Sequence, residues 1–126
     1  MLGKINAIAN IPVRDLDAAR RFYEDTLGLT PAPVEPGCEG LIAFRSGDST
    51  VYVYQSEHAG TNQATAMTWD VGDDVEAVVR ALRAKGVSFE HYDMPGTTLQ
   101  GDVHVAGAMK TAWFKDPDGN ILSLAS

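Results

Sequence analysis

The sequence predicts an α+β fold of two tandem βαβββ modules, one over residues 1–57 and one over 64–126. Three observations predict it. Apolar residues recur with period two in several short runs and with helical period in two longer ones. The order of these runs in the first half returns in the second. The chain is 126 residues, a length that argues for one compact domain or two small modules sharing a core.

The first run is Ile5, Ala7, Ala9, Ile11 and Val13, alternating with Lys4, Asn6, Ile8, Asn10 and Pro12. It reads as a strand whose odd face meets a helix. Pro12 cannot donate to a ladder and marks an edge or an end. Asp15 then reads as a helix N-cap, with Asp17 in the first turn. Leu16, Ala19, Phe22, Tyr23 and Leu27 form the apolar stripe, and Gly28 ends the helix. Pro31, Pro33 and Pro36 allow one short strand at most. Leu41 to Arg45 and Thr50 to Gln55 are two strands joined by Ser46-Gly47-Asp48.

The second half repeats this plan. Met67, Trp69 and Val71 alternate with Ala66, Thr68 and Asp70. Asp73 or Asp74 caps a helix striped by Val75, Val78, Val79 and Leu82, and Gly86 ends it. Val87 to Tyr92, Met109 to Lys115 and Ile121 to Leu124 are strands. The last two are joined by the turn Asp116-Pro117-Asp118-Gly119-Asn120. Residues 95 to 107 read as a long loop of the kind that is either a functional lid or disordered. Each helix covers one face of its sheet, so the uncovered faces are expected to form a concave surface that holds a ligand.

Composition narrows the function. Seventeen acids against ten bases give a net charge of −7, which argues against a nucleic-acid partner and against an anionic membrane surface. The single cysteine, Cys38, excludes an intrachain disulfide and any Cys-rich zinc site, and reads as a spectator thiol. No run has the length of a membrane span, and the N-terminus lacks the apolar stretch of a signal peptide, so the cytoplasm is the expected compartment. There is no Gly-rich phosphate loop and no nucleophile elbow.

Three stretches carry a resemblance. They are Pro12-Val13-Arg14-Asp15-Leu16 with Phe22-Tyr23 and Leu27-Gly28-Leu29, then Asp74-Val75-Glu76-Ala77 with Lys85-Gly86-Val87, and finally Trp113 to Asn120. In that order they resemble the vicinal oxygen chelate superfamily of glyoxalases, extradiol dioxygenases, and fosfomycin- and bleomycin-resistance proteins. The resemblance implies a cupped, partly open mixed β-barrel with helices outside, paired as a homodimer. It also implies a divalent metal held by His, Gln or Glu. The matching positions here are Ile8, Ala66, Ser123 and one residue within Val51 to Gln55, where Tyr52, Tyr54 or Gln55 stands. Hydrocarbons and a neutral hydroxyl are poor ligands for a divalent ion.

The resulting expectation is a binding protein without metal or other cofactor, which sequesters an organic, cationic or aromatic small molecule. The candidate contacts are Ile8, Asn10, Tyr52, Tyr54, Ala66, Thr68, His104, Trp113 and Ser123. Tyr52 and Tyr54 face away from Val51 and Val53 and suit stacking or cation–π contact. Asn10 and Thr68 share faces with Ile8 and Ala66 and suit orienting polar contacts, with Asp70 a further charge on that face. Trp69 reads as core, while Trp113 fits either core or ligand wall. Among the histidines, His58 reads as a solvated linker residue and His91 as a strand residue, while His104 is a candidate for ligand contact or acid/base chemistry. The alternative expectation is an enzyme, a lyase, isomerase or dioxygenase, with a non-standard metal site or His104 as acid and base. Lys110 with Asp102 or Glu90 is a further acid/base pairing open to the sequence.

Overall fold

The structure, a computed structural model, describes all residues from 1 to 126. Its contacts group the chain into two compact units.

The first unit comprises residues 1–61 and 117–120. Its strands are β1 (Ala9–Val13), β2 (Thr30–Ala32), β3 (Leu41–Ser46) and β4 (Ser49–Gln55). They form one sheet in the order β1-β4-β3-β2, with β1 parallel to β4 and the other pairs antiparallel. Pro12 lies on β1, which is an edge strand, so its missing N–H costs no ladder bond. Helix α1 (Leu16–Arg20) starts at Asp15, whose carboxylate accepts the backbone N–H groups of Asp17 and Ala18 at 3.0 and 3.2 Å. It continues as a π-helical segment over Arg21–Thr26, and the Leu27 N–H donates to the Phe22 carbonyl at 2.9 Å. The helix packs on β3 and β4. Tyr23 is fully buried against Phe22 and Phe44, above a floor of Ile11, Val13, Val51 and Val53. The odd face of β1 therefore meets the helix, as its alternation predicts.

That strand is shorter than predicted. Its pairing with β4 begins with Ala9 opposite Val51, so Ile5 to Ile8 lie outside the ladder. Residues 2–4 instead form a single 3-10 turn.

The second unit comprises residues 62–116 and 121–126. Its strands are β5 (Thr65–Asp70), β6 (Phe89–Glu90), β7 (Thr98–Gln100), β8 (Val103–Ala106), β9 (Met109–Lys115) and β10 (Ile121–Ala125). The sheet order is β5-β10-β9-β8-β7, with β5 parallel to β10. The short β6 pairs with the C-terminal half of β9, on the edge that β8 occupies further along. Helix α2 (Val75–Ala84) packs on β9 and buries Val75, Val79 and Leu82. Phe114, Leu122 and Leu124 are buried on the helix side, where Trp69 stacks on Phe114 at 6.3 Å.

Three expectations are corrected here. The segment read as a strand from Val87 to Tyr92 keeps ladder pairing only at Phe89 and Glu90. Asp74 does stand at the α2 N-cap, yet its side chain makes no capping bond there. The preceding turn is closed instead by Asp70, whose carboxylate accepts the Gly72 N–H at 3.0 Å. The third correction matters most for function. Residues 95–107 are not a lid-like loop, because they contain the hairpin β7–β8. Its two-residue turn, Gly101-Asp102, has a positive φ (+63°) at the first position, where such hairpins place glycine. No helix is long and apolar enough to cross a membrane.

Glu76 and Lys110 form an ion pair at 2.6 Å, which displaces the pairings of Lys110 open to the sequence. Asp102 bonds Arg83 and His91, and Glu90 bonds Lys115. The hydrogen bond from Lys110 holds the Glu76 carboxyl below its ordinary range, helped by the helix backbone. A depressed folded-state value means that the pair stabilises the fold above the ordinary glutamate range. That contribution fades as pH falls through the folded-state value. Thermal melts should therefore show Glu76→Gln less stable than wild type at neutral pH and equal to it in strong acid. A gap that stays constant with pH would contradict this. Both side chains are partly exposed, so the effect is small.

Candidate functional site

On the first sheet, register places Asn10 opposite Tyr52 and Pro12 opposite Tyr54, on the face away from α1. Tyr52 is half-buried and Tyr54 exposed, while their neighbours Val51 and Val53 are buried under the helix. The tyrosines thus face away from the helix, as their alternation predicts. Asn10 spends one side-chain N–H on the carbonyl of Ile8, at 3.2 Å. Ile8 itself is exposed and lines an open recess of about 540 Å³ with Asn6 and the β3–β4 turn. His58 is an exposed linker residue, and Cys38 is exposed.

On the second sheet, the face away from α2 brings four of the predicted residues together. Ser123 on β10 lies opposite both Thr68 on β5 and Trp113 on β9, and His104 on β8 lies opposite Thr111. Thr68 and Ser123 share a hydrogen bond of 2.7 Å between their hydroxyls. Ala66 falls at a bulge, since Ile121 pairs with Thr65 and Leu122 with Met67. Thr65 thereby takes the place on this face that the alternation assigns to Ala66. Its hydroxyl accepts the Trp113 indole N–H at 3.0 Å.

His104 is 3% exposed, far more buried than a loop residue would be. Its Nε2 accepts the backbone N–H of Tyr92 at 3.0 Å. An imidazole that accepts at Nε2 carries its proton on Nδ1. That Nδ1 is buried and has no partner in the protein. The ring packs edge-on to Trp113 at 4.9 Å and near-parallel to Tyr92 at 6.3 Å, and Tyr92 meets Trp113 edge-on at 5.4 Å. Beside this aromatic cluster lies a recess of about 370 Å³, lined by His91, Tyr92, Asp93, Met94, Thr97, Leu99 and His104. The volume is at the lower end of that of small-molecule sites. At its rim, His91 Nε2 bonds Asp102 Oδ1 at 2.7 Å, while Arg83 approaches Asp102 Oδ2 at 3.4 Å.

Two comparisons place this architecture. The sequence profile of the Glyoxalase/Bleomycin resistance protein/Dioxygenase superfamily matches residues 4–124. The chain belongs to this superfamily. Its fold is also that of solved members. A glyoxalase/bleomycin resistance protein from a Streptomyces species superposes with a TM-score of 0.64 at 24% identity, covering 96% of this chain and 99% of that one. Lactoylglutathione lyase from Agrobacterium tumefaciens gives 0.69 at 20% identity, covering 95% and 91%. The fosfomycin resistance protein FosX from Mesorhizobium loti gives 0.69 at 16%, covering 100% and 93%. No curated protein matches the chain in sequence.

The residues that the resemblance places at the metal positions do not fit a metal. Ile8 and Ala66 have no donor atom, and Ser123 is buried with its hydroxyl engaged by Thr68. No three His, Cys, Asp or Glu side chains converge anywhere in the chain. Tyr92, Thr65 and the His91–Asp102 pair escaped the sequence reading. The dipeptide Gly101-Asp102 was the available signal, because Gly47-Asp48 makes the same two-residue turn in the first sheet.

Proposed function

We propose that this superfamily member binds a small organic molecule without a metal, using the uncovered face of its second sheet. The observation that carries the reading is the buried, unpartnered Nδ1 of His104 within an aromatic cluster. A buried donor left unpaired costs about 1–3 kcal/mol, which a ligand's carbonyl or carboxylate oxygen would recover. Tyr92 and Trp113 are walls for a flat or cationic group, worth about 0.5–2 kcal/mol each. Thr68 and Ser123 add paired hydroxyls, with Ala66 beside them. On the first sheet, Ile8, Asn10, Tyr52 and Tyr54 are proposed as ligand-facing. The reading includes a cytoplasmic homodimer, which the superfamily resemblance implies.

Bleomycin and a panel of flat aromatic amines and carboxylates test it, read by tryptophan emission and by melting temperature. Binding is expected to quench Trp113 saturably, with Trp69, stacked on Phe114, as the internal reference. A ligand at a hundred times its dissociation constant should add about 2.7 kcal/mol of stability. Trp113→Phe should lose the quenching and weaken binding about tenfold, leaving the melting temperature of the free protein within a few degrees. A panel in which no compound raises the melting temperature with concentration would overturn the reading.

A further inference from the structure

The His91–Asp102 pair has a geometry that binding alone does not use. His91 follows β6 and Asp102 sits in the β7–β8 turn, so the hairpin brings the carboxylate to the imidazole. Asp102 Oδ1 accepts a hydrogen bond from His91 Nε2 at 2.7 Å, and its Oδ2 faces Arg83. With the hydrogen bond at Nε2, the neutral form of the imidazole is the tautomer with a bare Nδ1. That Nδ1 makes no hydrogen bond in the protein, and His91 lines the recess. His104, the other imidazole of the recess, is unsuited to this task because its one lone pair is spent on the Tyr92 N–H.

We propose that the recess is a metal-free proton-transfer site, in which His91 removes a proton from a flat carbon acid and Asp102 positions the imidazole. Tyr92, Met94 and Leu99 supply the apolar wall that a flat substrate needs. An oriented imidazole paired with a carboxylate is a suitable general base at neutral pH. The inference concerns the recess also used in the binding reading, yet the two fail separately, since a recess that binds without turnover leaves binding intact.

The test uses the full chain and 5-nitrobenzisoxazole, a flat carbon acid whose opening needs only a base. His91 Nδ1 takes the proton from the ring carbon. The C–H electron pair becomes the third bond of a nitrile, the N–O bond breaks, and the oxygen leaves as a coloured phenolate. The proton then passes to water and restores the base. The expected result is a saturable rate above that of free imidazole at equal concentration. His91→Gln should lower kcat/KM about a hundredfold, within the range of general-base removal. Asp102→Asn should lower kcat about tenfold with KM unchanged, the signature of a positioning residue. Added imidazole should restore His91→Gly, an effect that a merely structural role would not give. His91 is half exposed, so its variants keep the fold, and melting curves check this. A wild-type rate no faster than free imidazole overturns the proposal. So does a His91→Gln rate equal to wild type, or an Asp102→Asn change confined to KM.

Discussion

Replacing Phe114 with alanine is expected to cost about 3–5 kcal/mol of stability, in line with other buried Phe→Ala truncations. Phe114 has no exposed surface. Trp69 lies flat against it at 6.3 Å, Phe89 meets it edge-on at 5.6 Å, and Leu122 stands opposite it in register. These neighbours come from β5, β6 and β10, each pinned by its own ladder, so the cavity cannot collapse around a smaller side chain. A loss of this size is a third or more of the stability of many domains. Urea unfolding followed by circular dichroism should report it as a lower midpoint with an unchanged slope. Phe114→Leu, which keeps most of the volume, should cost far less. A Phe114→Ala loss below about 1 kcal/mol would mean that the second sheet's core is not packed as described.

Gly60→Ala is expected to cost about 2–5 kcal/mol, from backbone strain and overpacking together. Gly60 has φ of +72°, a conformation that a Cβ disfavours. A Cβ there would also overlap the carbonyl oxygen of Asp118 and come within 3.1 Å of its carbonyl carbon. The obstacle is backbone, so no rotamer change relieves it. Nor can the turn simply retreat, because Asn120, two residues on, donates from Nδ2 to the Pro12 carbonyl at 2.8 Å. Gly3→Ala is the control, since nothing lies within 4 Å of a Cβ at that position. Thermal melts should show a drop of about 10 °C for Gly60→Ala and almost none for Gly3→Ala. Equal melting temperatures for the two variants would refute the close approach.

The effect at Gly60 illustrates what was illegible. The stretch around His58 reads as a linker, and nothing in it announces that Ala59 is buried or that Asp118 lies against Gly60. The approach joins positions 58 residues apart, and local pattern carries no information at that range. His104 is the functional counterpart. Its neighbours Pro95, Gly96 and Gly101 made a loop the natural reading. Pairing of Leu99 with His104 and of His104 with Thr111 turned the segment into sheet and buried the ring. Ala66 lost its place to Thr65 through a bulge, and a one-residue shift in register exchanges the two faces of a strand. By contrast, Tyr52 and Tyr54 were legible because period two alone separates them from Val51 and Val53, whatever the partner strands.

By itself, then, the sequence determined the two helices, the strands other than β7 and β8, the faces of β1 and β4, the Asp15 cap and the absence of donor atoms at positions 8 and 66. These follow from local sterics, periodicity and side-chain chemistry, which need no distant partner. Only the tertiary structure decided that Tyr92, His104 and Trp113 form one cluster, that His104 keeps an unpartnered nitrogen, and that Asp102 meets His91. Those contacts depend on strand register and on a hairpin that returns the chain to β9. Register is set by the sum of many weak pairings across the sheet, so no single stretch of residues encodes it.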